Sequence, residues 1–156
     1  MGDAIFEDPR LVQVYDAIEG RRHVGALAGR GVTLTIDDGV LTRRVGPVGE
    51  QLLDAYRAAI AATARSGVGV IVDEVLLDED DWDSWQRHLH GLAVRWVGVV
   101  ASLDVVEGRE RQRPDRIDGL ARSEYDLVHR HATYDVTVDT AILDPTQAAI
   151  AILDAR

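Results

Sequence analysis

Cysteine and lysine are both missing from the 156 residues, and methionine and phenylalanine occur once each. Without cysteine the chain can hold no disulfide, no thiolate metal site and no thiol nucleophile. Without lysine it contains no Walker A loop, in which glycine amides cradle phosphate while a lysine reaches the β and γ oxygens. All 17 basic residues are arginine, an outcome that GC-rich coding also yields. Positive charge is short overall, because 27 acidic residues leave a formal net charge of −10. That field repels nucleic acid and anionic lipid, so neither is an expected partner. No apolar run is long enough to span a bilayer. Met1-Gly2-Asp3 opens no secretory signal, and Gly2 with Phe6 is a poor myristoylation context, which makes the cytoplasm the expected location.

What is present is globular: 46 % hydrophobic and 28 % charged residues, too apolar for a disordered chain. The length predicts a single domain over residues 1–156. Leu11, Val14, Tyr15 and Ile18 approximate a helical stripe that starts near Asp8, with Pro9 in its first turn, and closes near Gly20. From Gly31 to Thr42 β-branched residues alternate around Asp38-Gly39, the commonest short hairpin signal. Leu52, Leu53, Tyr56 and Ile60, with Gly67 after them, describe an amphipathic helix over 48–66.

The period then changes. Val68-Gly69-Val70-Ile71-Val72 is a continuous apolar run, and it predicts a strand buried on both faces of a parallel sheet. Asp78 to Asp83 open an acidic helix whose stripe is Trp82, Trp85, Leu89 and Leu92. A strand over 94–100, two helices within 103–130 parted near Arg113-Pro114-Asp115, a strand over 134–140 and a helix over 145–154 follow. This is an α/β order with parallel strands and right-handed crossovers.

Ligands of open parallel sheets lie beyond the carboxyl ends of the strands, which points to Asp73 and Glu74. They read either as carboxylates that orient a metal or substrate, or as a solvated pair at the next turn. Arg109, Arg111, Arg113 and Arg116 form the densest basic cluster. Guanidinium forks match phosphate oxygens and stabilise a phosphoryl transition state, so the cluster suits a lid over a nucleotide. It equally suits a solvated helix face paired with Glu107, Glu110 and Asp115. His129 and His131 have no third metal ligand at a recognisable spacing, and the three tryptophans read as packing. Gly25, Gly29 and Gly31 fit neither phosphate-loop pattern.

Several blocks taken in order resemble one family. Gly69-Val70-Ile71-Val72-Asp73-Glu74-Val75, Val94-Arg95-Trp96-Val97-Gly98-Val99, Glu107-Gly108-Arg109-Glu110 with Arg113-x-Asp115-Arg116, Val128-His129 and Tyr134 to Thr140 are similar to the chloramphenicol phosphotransferase family of small P-loop kinases. The resemblance covers the C-terminal four fifths of the chain. It implies a P-loop-kinase-like parallel sheet with flanking helices, and transfer of the γ-phosphate of ATP, with Mg2+, to a hydroxyl of a small molecule. The family's namesake inactivates an antibiotic. Carried over residue by residue, the resemblance makes Asp3, in Gly2-Asp3-Ala4-Ile5-Phe6-Glu7, the catalytic base that takes the hydroxyl proton. It places Arg113 and Arg116 as lid arginines near the triphosphate and Asp73 at the acidic position after the third strand.

Family members open with a strand and a glycine-rich loop that this sequence lacks, so the domain reads as N-terminally truncated. In the family strand order, 2-3-1-4-5, the lacking strand is central. Either Val68–Val72 pairs directly with Val94–Val100, or the chain is marginal or oligomeric alone. Two functions follow. One is an ATP-dependent phosphotransferase of a small hydroxylated molecule, inactive in this form, with its loop encoded upstream. The other is a nonenzymatic α/β remnant that binds a ligand or partner. A metal-dependent hydrolase built on Asp3, Asp73 and Glu74 is a third reading.

Overall fold

The alternation of β-branched residues makes the expected hairpin in the computed structural model, which describes residues 30–37, 40–113 and 119–155. β1 (Val32–Asp37) and β2 (Val40–Val45) pair antiparallel, with Val32 opposite Val45 and Asp37 opposite Val40. The Asp38-Gly39 turn and the helix expected near 8–20 lie outside the described residues. The chain divides into two compact units, residues 1–66 and 67–156.

In the first unit β2 runs through Gly46 into α1 (Pro47–Arg65). Gly46 has no side chain to cap the helix, and the orphan amides of its first turn go instead to Arg30: those of Val48 and Gly49 donate to the Arg30 carbonyl at 2.7 and 3.0 Å. The buried line along α1 is Gly49, Leu53, Arg57 and Ala61, four residues apart each time. The stripe expected from Leu52, Leu53, Tyr56 and Ile60 is therefore turned: Leu53 is buried, whereas Tyr56 is exposed.

In the second unit the expected strand at Val68–Val72 does not form. These residues are irregular and solvent-exposed, Ile71 completely so. A strand exists through its neighbours' hydrogen bonds, and no described strand pairs with this run. Direct pairing with 94–100 is thus overturned. Among the described residues the sheet of this unit has two strands, β3 (Val97–Val100) and β4 (Val136–Asp139), paired parallel with Val97 opposite Val136 and Val100 opposite Asp139.

Between the exposed run and β3 lies α2 (Glu79–His88). Its acidic start is a cap: Asp78 Oδ1 accepts the Asp81 amide at 2.8 Å, and Asp81 Oδ2 accepts the Leu77 amide at 3.3 Å. Trp85 is buried, and Trp82 packs on Trp96 with ring centroids 4.4 Å apart. The tryptophans are packing residues. Two helices, α3 (Leu103–Arg111) and α4 (Leu120–Tyr125), make the crossover from β3 to β4. The chain ends on α5 (Pro145–Asp154), which packs on β4. Asp144 and Gln147 form a reciprocal capping box at its start, both bonds at 2.9 Å, and Pro145 stands in its first turn.

One close approach fixes how the face of β3 is covered. The Tyr134 ring lies flat enough on Gly98 that a Cβ there would meet ring atoms at 2.6, 2.9 and 3.0 Å. The same tyrosine's hydroxyl is hydrogen-bonded to His129 Nδ1 at 2.7 Å, so the ring cannot swing away without breaking that bond. Gly98→Ala is expected to destabilise the second unit by about 1–3 kcal/mol, as overpacking does, and urea denaturation measures it.

Burial holds the His129 imidazole below the usual histidine range and pushes the Tyr134 phenol up. A histidine whose folded pKa is depressed binds fewer protons folded than unfolded, so stability rises with pH across that window. The contribution of His129 is complete above the ordinary histidine pKa of about 6.5 and declines as pH falls toward the lowered folded value. Denaturation midpoints taken between pH 7.5 and pH 5 are expected to fall with acid, with a shallower fall in His129→Gln.

Candidate functional site

Parallel pairing puts the carboxyl ends of β3 and β4 on one edge, and loops leaving that edge are where ligands of such sheets are bound. Here the edge is tied by Thr140, the residue after β4. Its amide donates to the Val100 carbonyl at 2.8 Å and its hydroxyl donates to the same carbonyl at 3.1 Å. Arg109, on the last turns of α3, donates to the Thr140 hydroxyl at 2.9 Å and to the Thr140 carbonyl at 2.6 Å. Beside it Asp139 Oδ1 accepts the Ala141 amide at 2.8 Å, which turns the chain toward α5. Arg109 is thereby an anchor of the edge. Its guanidinium fork, grouped by sequence with the lid arginines, is taken up by Thr140.

The crossover helices are braced by carboxylates. Glu110 Oε2 accepts the Gly119 amide at 3.0 Å and Oε1 accepts the Ala121 amide at 2.7 Å. Gly119 sits at the N-cap of α4 with φ +89°, a conformation that favours glycine, and it has no side chain with which to cap. The carboxylate borrowed from α3 satisfies those orphan amides and places negative charge at the helix start. Glu107 adds an ion pair to Arg122 at 2.6 Å. By sequence both glutamates pair with neighbouring arginines of the cluster. Their described partners lie instead on α4.

Of the four residues expected at a phosphate site, Arg113 is exposed just past the end of α3, its amide donating to the Glu110 carbonyl at 2.9 Å. Asp73 is exposed at the end of the uncovered Val68–Val72 run. No hydrogen bond or ion pair joins the two, and Asp3 and Arg116 lie outside the described residues. Among the described residues no group of three or more His, Asp or Glu side chains converges to hold a metal. The exposed guanidinium of Arg113 fits the oxygens of a phosphate, whereas no described set of donors fits Mg2+. No described helix is long and apolar enough to cross a membrane. A groove of about 300 Å3 lined by Gln86, Leu89, His90, Gly91, Leu92, Val94 and Trp96 opens at the other end of β3, away from the tied edge.

A family model described as chloramphenicol phosphotransferase-like protein matches residues 35–156, from within β1 to the last residue. The chain belongs to this family. No curated protein matches it. Membership agrees with the α/β order and with the resemblance carried by the blocks between Gly69 and Thr140. The roles of Thr140 and Glu110 are not apparent from sequence. The available signal for Glu110 is a helix start at Gly119-Leu120 with no capping side chain of its own, preceded by an acidic residue one short connection earlier.

Glu110→Ala removes the acceptor of two amides at once. Hydrogen exchange at Gly119 and Ala121 is expected to speed up by one to two orders of magnitude, corresponding to about 1–3 kcal/mol for donors left without a partner. Exchange along α5 is expected to stay as it is.

Proposed function

We propose that the protein is an ATP-dependent phosphotransferase acting on a small hydroxylated molecule of the chloramphenicol type, and that these 156 residues, which contain no lysine, do not turn over by themselves. The family match over residues 35–156 is the observation that carries the reading. In it Asp3 serves as the base that takes the proton of the attacking hydroxyl, Arg113 and Arg116 meet the phosphate oxygens, and Asp73 occupies the acidic position near the nucleotide. ATP with Mg2+ supplies the transferable phosphoryl group, and the cytoplasm is where such a substrate pair meets. Preorganised positive charge at the phosphates contributes more to such catalysis than any other single effect, and a chain without a lysine lacks a principal part of it. The braced crossover supports the arginine role, since Glu110 and Glu107 fix the helices on either side of the connection that bears Arg113.

A second reading is a nonenzymatic member of the family that binds a ligand or a partner protein. The exposed Val68–Val72 run, which pairs with no strand among the described residues, favours it, because a sheet of two described strands is a poor platform for positioning two substrates.

Incubated with labelled ATP, Mg2+ and chloramphenicol or other small alcohols, the chain is expected to transfer no phosphate above the uncatalysed background. Equilibrium dialysis is expected to show weak ATP binding that Arg113→Ala reduces about tenfold, or 1.4 kcal/mol, and that Arg130→Ala leaves unchanged. Turnover would overturn the inactivity. ATP binding indifferent to Arg113 would remove that residue from the phosphate site, and absence of ATP binding would leave the second reading.

A further inference from the structure

One residue holds both ends of the connection that begins at Arg113. The Glu110 carbonyl accepts the Arg113 amide at 2.9 Å, while the Glu110 carboxylate accepts the amides of Gly119 at 3.0 Å and Ala121 at 2.7 Å. Arg113 and Gly119 are thus fastened to the same glutamate, one through its main chain and the other through its side chain. The residue before it, Arg109, fastens α3 to Thr140 at the carboxyl edge of the sheet. A line of hydrogen bonds therefore runs from the sheet edge through α3 to both ends of the connection.

The far end depends on this fastening. α4 has six residues, too few for a helix to hold itself, and its N-cap is a glycine with no side chain. Without the carboxylate, the amides of Gly119 and Ala121 lose their described acceptor and the start of α4 is released from α3.

We propose that Glu110 is a positioning residue for the phosphate contact of Arg113: it pins the connection at both ends and so sets the arginine in place before an anion arrives. The inference rests on the phosphotransferase reading and adds to it a residue that itself meets no substrate. Its basis is the cost of ordering. A connection with a free end must give up backbone freedom when an anion fixes its arginine, and one pinned at both ends has already given up much of it. The charge of Glu110 acts in the opposite direction, because a carboxylate three residues from Arg113 repels phosphate. The two effects differ in sign: loss of position weakens anion binding, whereas loss of charge alone strengthens it.

Equilibrium dialysis of the full chain against ATP at fixed ionic strength reads that sign. Glu110→Ala is expected to weaken ATP binding about tenfold, although it removes a negative charge. Glu110→Gln keeps one oxygen that can accept one of the two amides, and is expected to fall between the Ala variant and the parent. Asp104→Asn removes the same charge from the first turn of α3 and is expected to bind ATP as tightly as the parent or more so. Gly119→Ala disturbs the far end without any change of charge. A Cβ there meets nothing within 4 Å, so its effect acts through the φ of +89° alone, and it is expected to weaken binding as well.

The pairing with Arg113 separates positioning from general damage to the fold. Glu110→Ala combined with Arg113→Ala is expected to bind no more weakly than Arg113→Ala alone, because the glutamate acts only through that arginine. ATP binding that is unchanged or tighter in Glu110→Ala, while Arg113→Ala still weakens it, would overturn the inference and leave the phosphate role of Arg113 standing. Losses that add in the double variant would also overturn it. A parent chain that binds no ATP, or binds it without regard to Arg113, would overturn both the inference and the phosphate role on which it rests.

Discussion

The hydroxyl of Thr140 is the point on which the second unit turns. A hydroxyl has one proton to give and lone pairs with which to receive; here the proton goes to the Val100 carbonyl and the oxygen accepts the guanidinium of Arg109. The two strands it joins have four residues each, so their own ladder is short and a two-stranded sheet is marginal without support. Thr140 extends the pairing one residue past the regular strands. Asp135 supports the opposite end: its carboxylate accepts the Trp96 amide at 2.7 Å and its own amide donates to the Trp96 carbonyl at 2.9 Å. A small sheet is thus held at both ends by bonds beyond its ladder, and the helices are attached through the same groups. Arg109 ties α3 to the carboxyl edge, and Arg95 reaches the Ile152 carbonyl in the last turn of α5 at 2.8 Å.

This arrangement divides the labour among the arginines. Arg109 gives two of its five N–H donors to Thr140, so its guanidinium is held against the carboxyl edge. Arg113, by contrast, is exposed just past the end of α3. The glutamates follow the same logic. Placed among arginines they look like neutralising partners, yet each described bond of their carboxylates is to α4 or its N-cap, so they shape the connection more than they cancel its charge.

Elements whose signals are local are legible in the sequence. The capping box at Asp144 and Gln147 with Pro145 announces α5, the acidic run before Trp82 announces α2, and the β-branched alternation announces the hairpin. Each of those signals acts within a few residues of itself. Val68–Val72 has the composition of a strand just as clearly, but a strand's partners are chosen elsewhere in the chain, and composition is silent on whether an edge is on offer. Arg57 illustrates the same limit on a helix. An arginine on α1 belongs by type to the solvated face, and its burial follows from its place in the line Gly49, Leu53, Ala61, a rotation of the apolar stripe that alanines permit without a strong sequence signal. At the carboxyl edge, the tie through Thr140 and the brace through Glu110 depend on side chains meeting across elements far apart in sequence.

Charge constrains the ligand more than the count of arginines suggests. At a net charge of −10 the chain opposes the approach of any polyanion until it comes within about a Debye length, about 8 Å at physiological salt, of a local positive group. Inside that distance a guanidinium offers a planar fork that stays protonated at every accessible pH, so its part in anion binding responds to salt and geometry but not to titration. A free triphosphate is repelled by the distant field and attracted only at contact. The same triphosphate with part of its charge neutralised by a divalent cation is repelled less, and a neutral alcohol not at all. The field of a chain at −10 therefore resists polyanions most, small and partly neutralised anions less, and neutral molecules least.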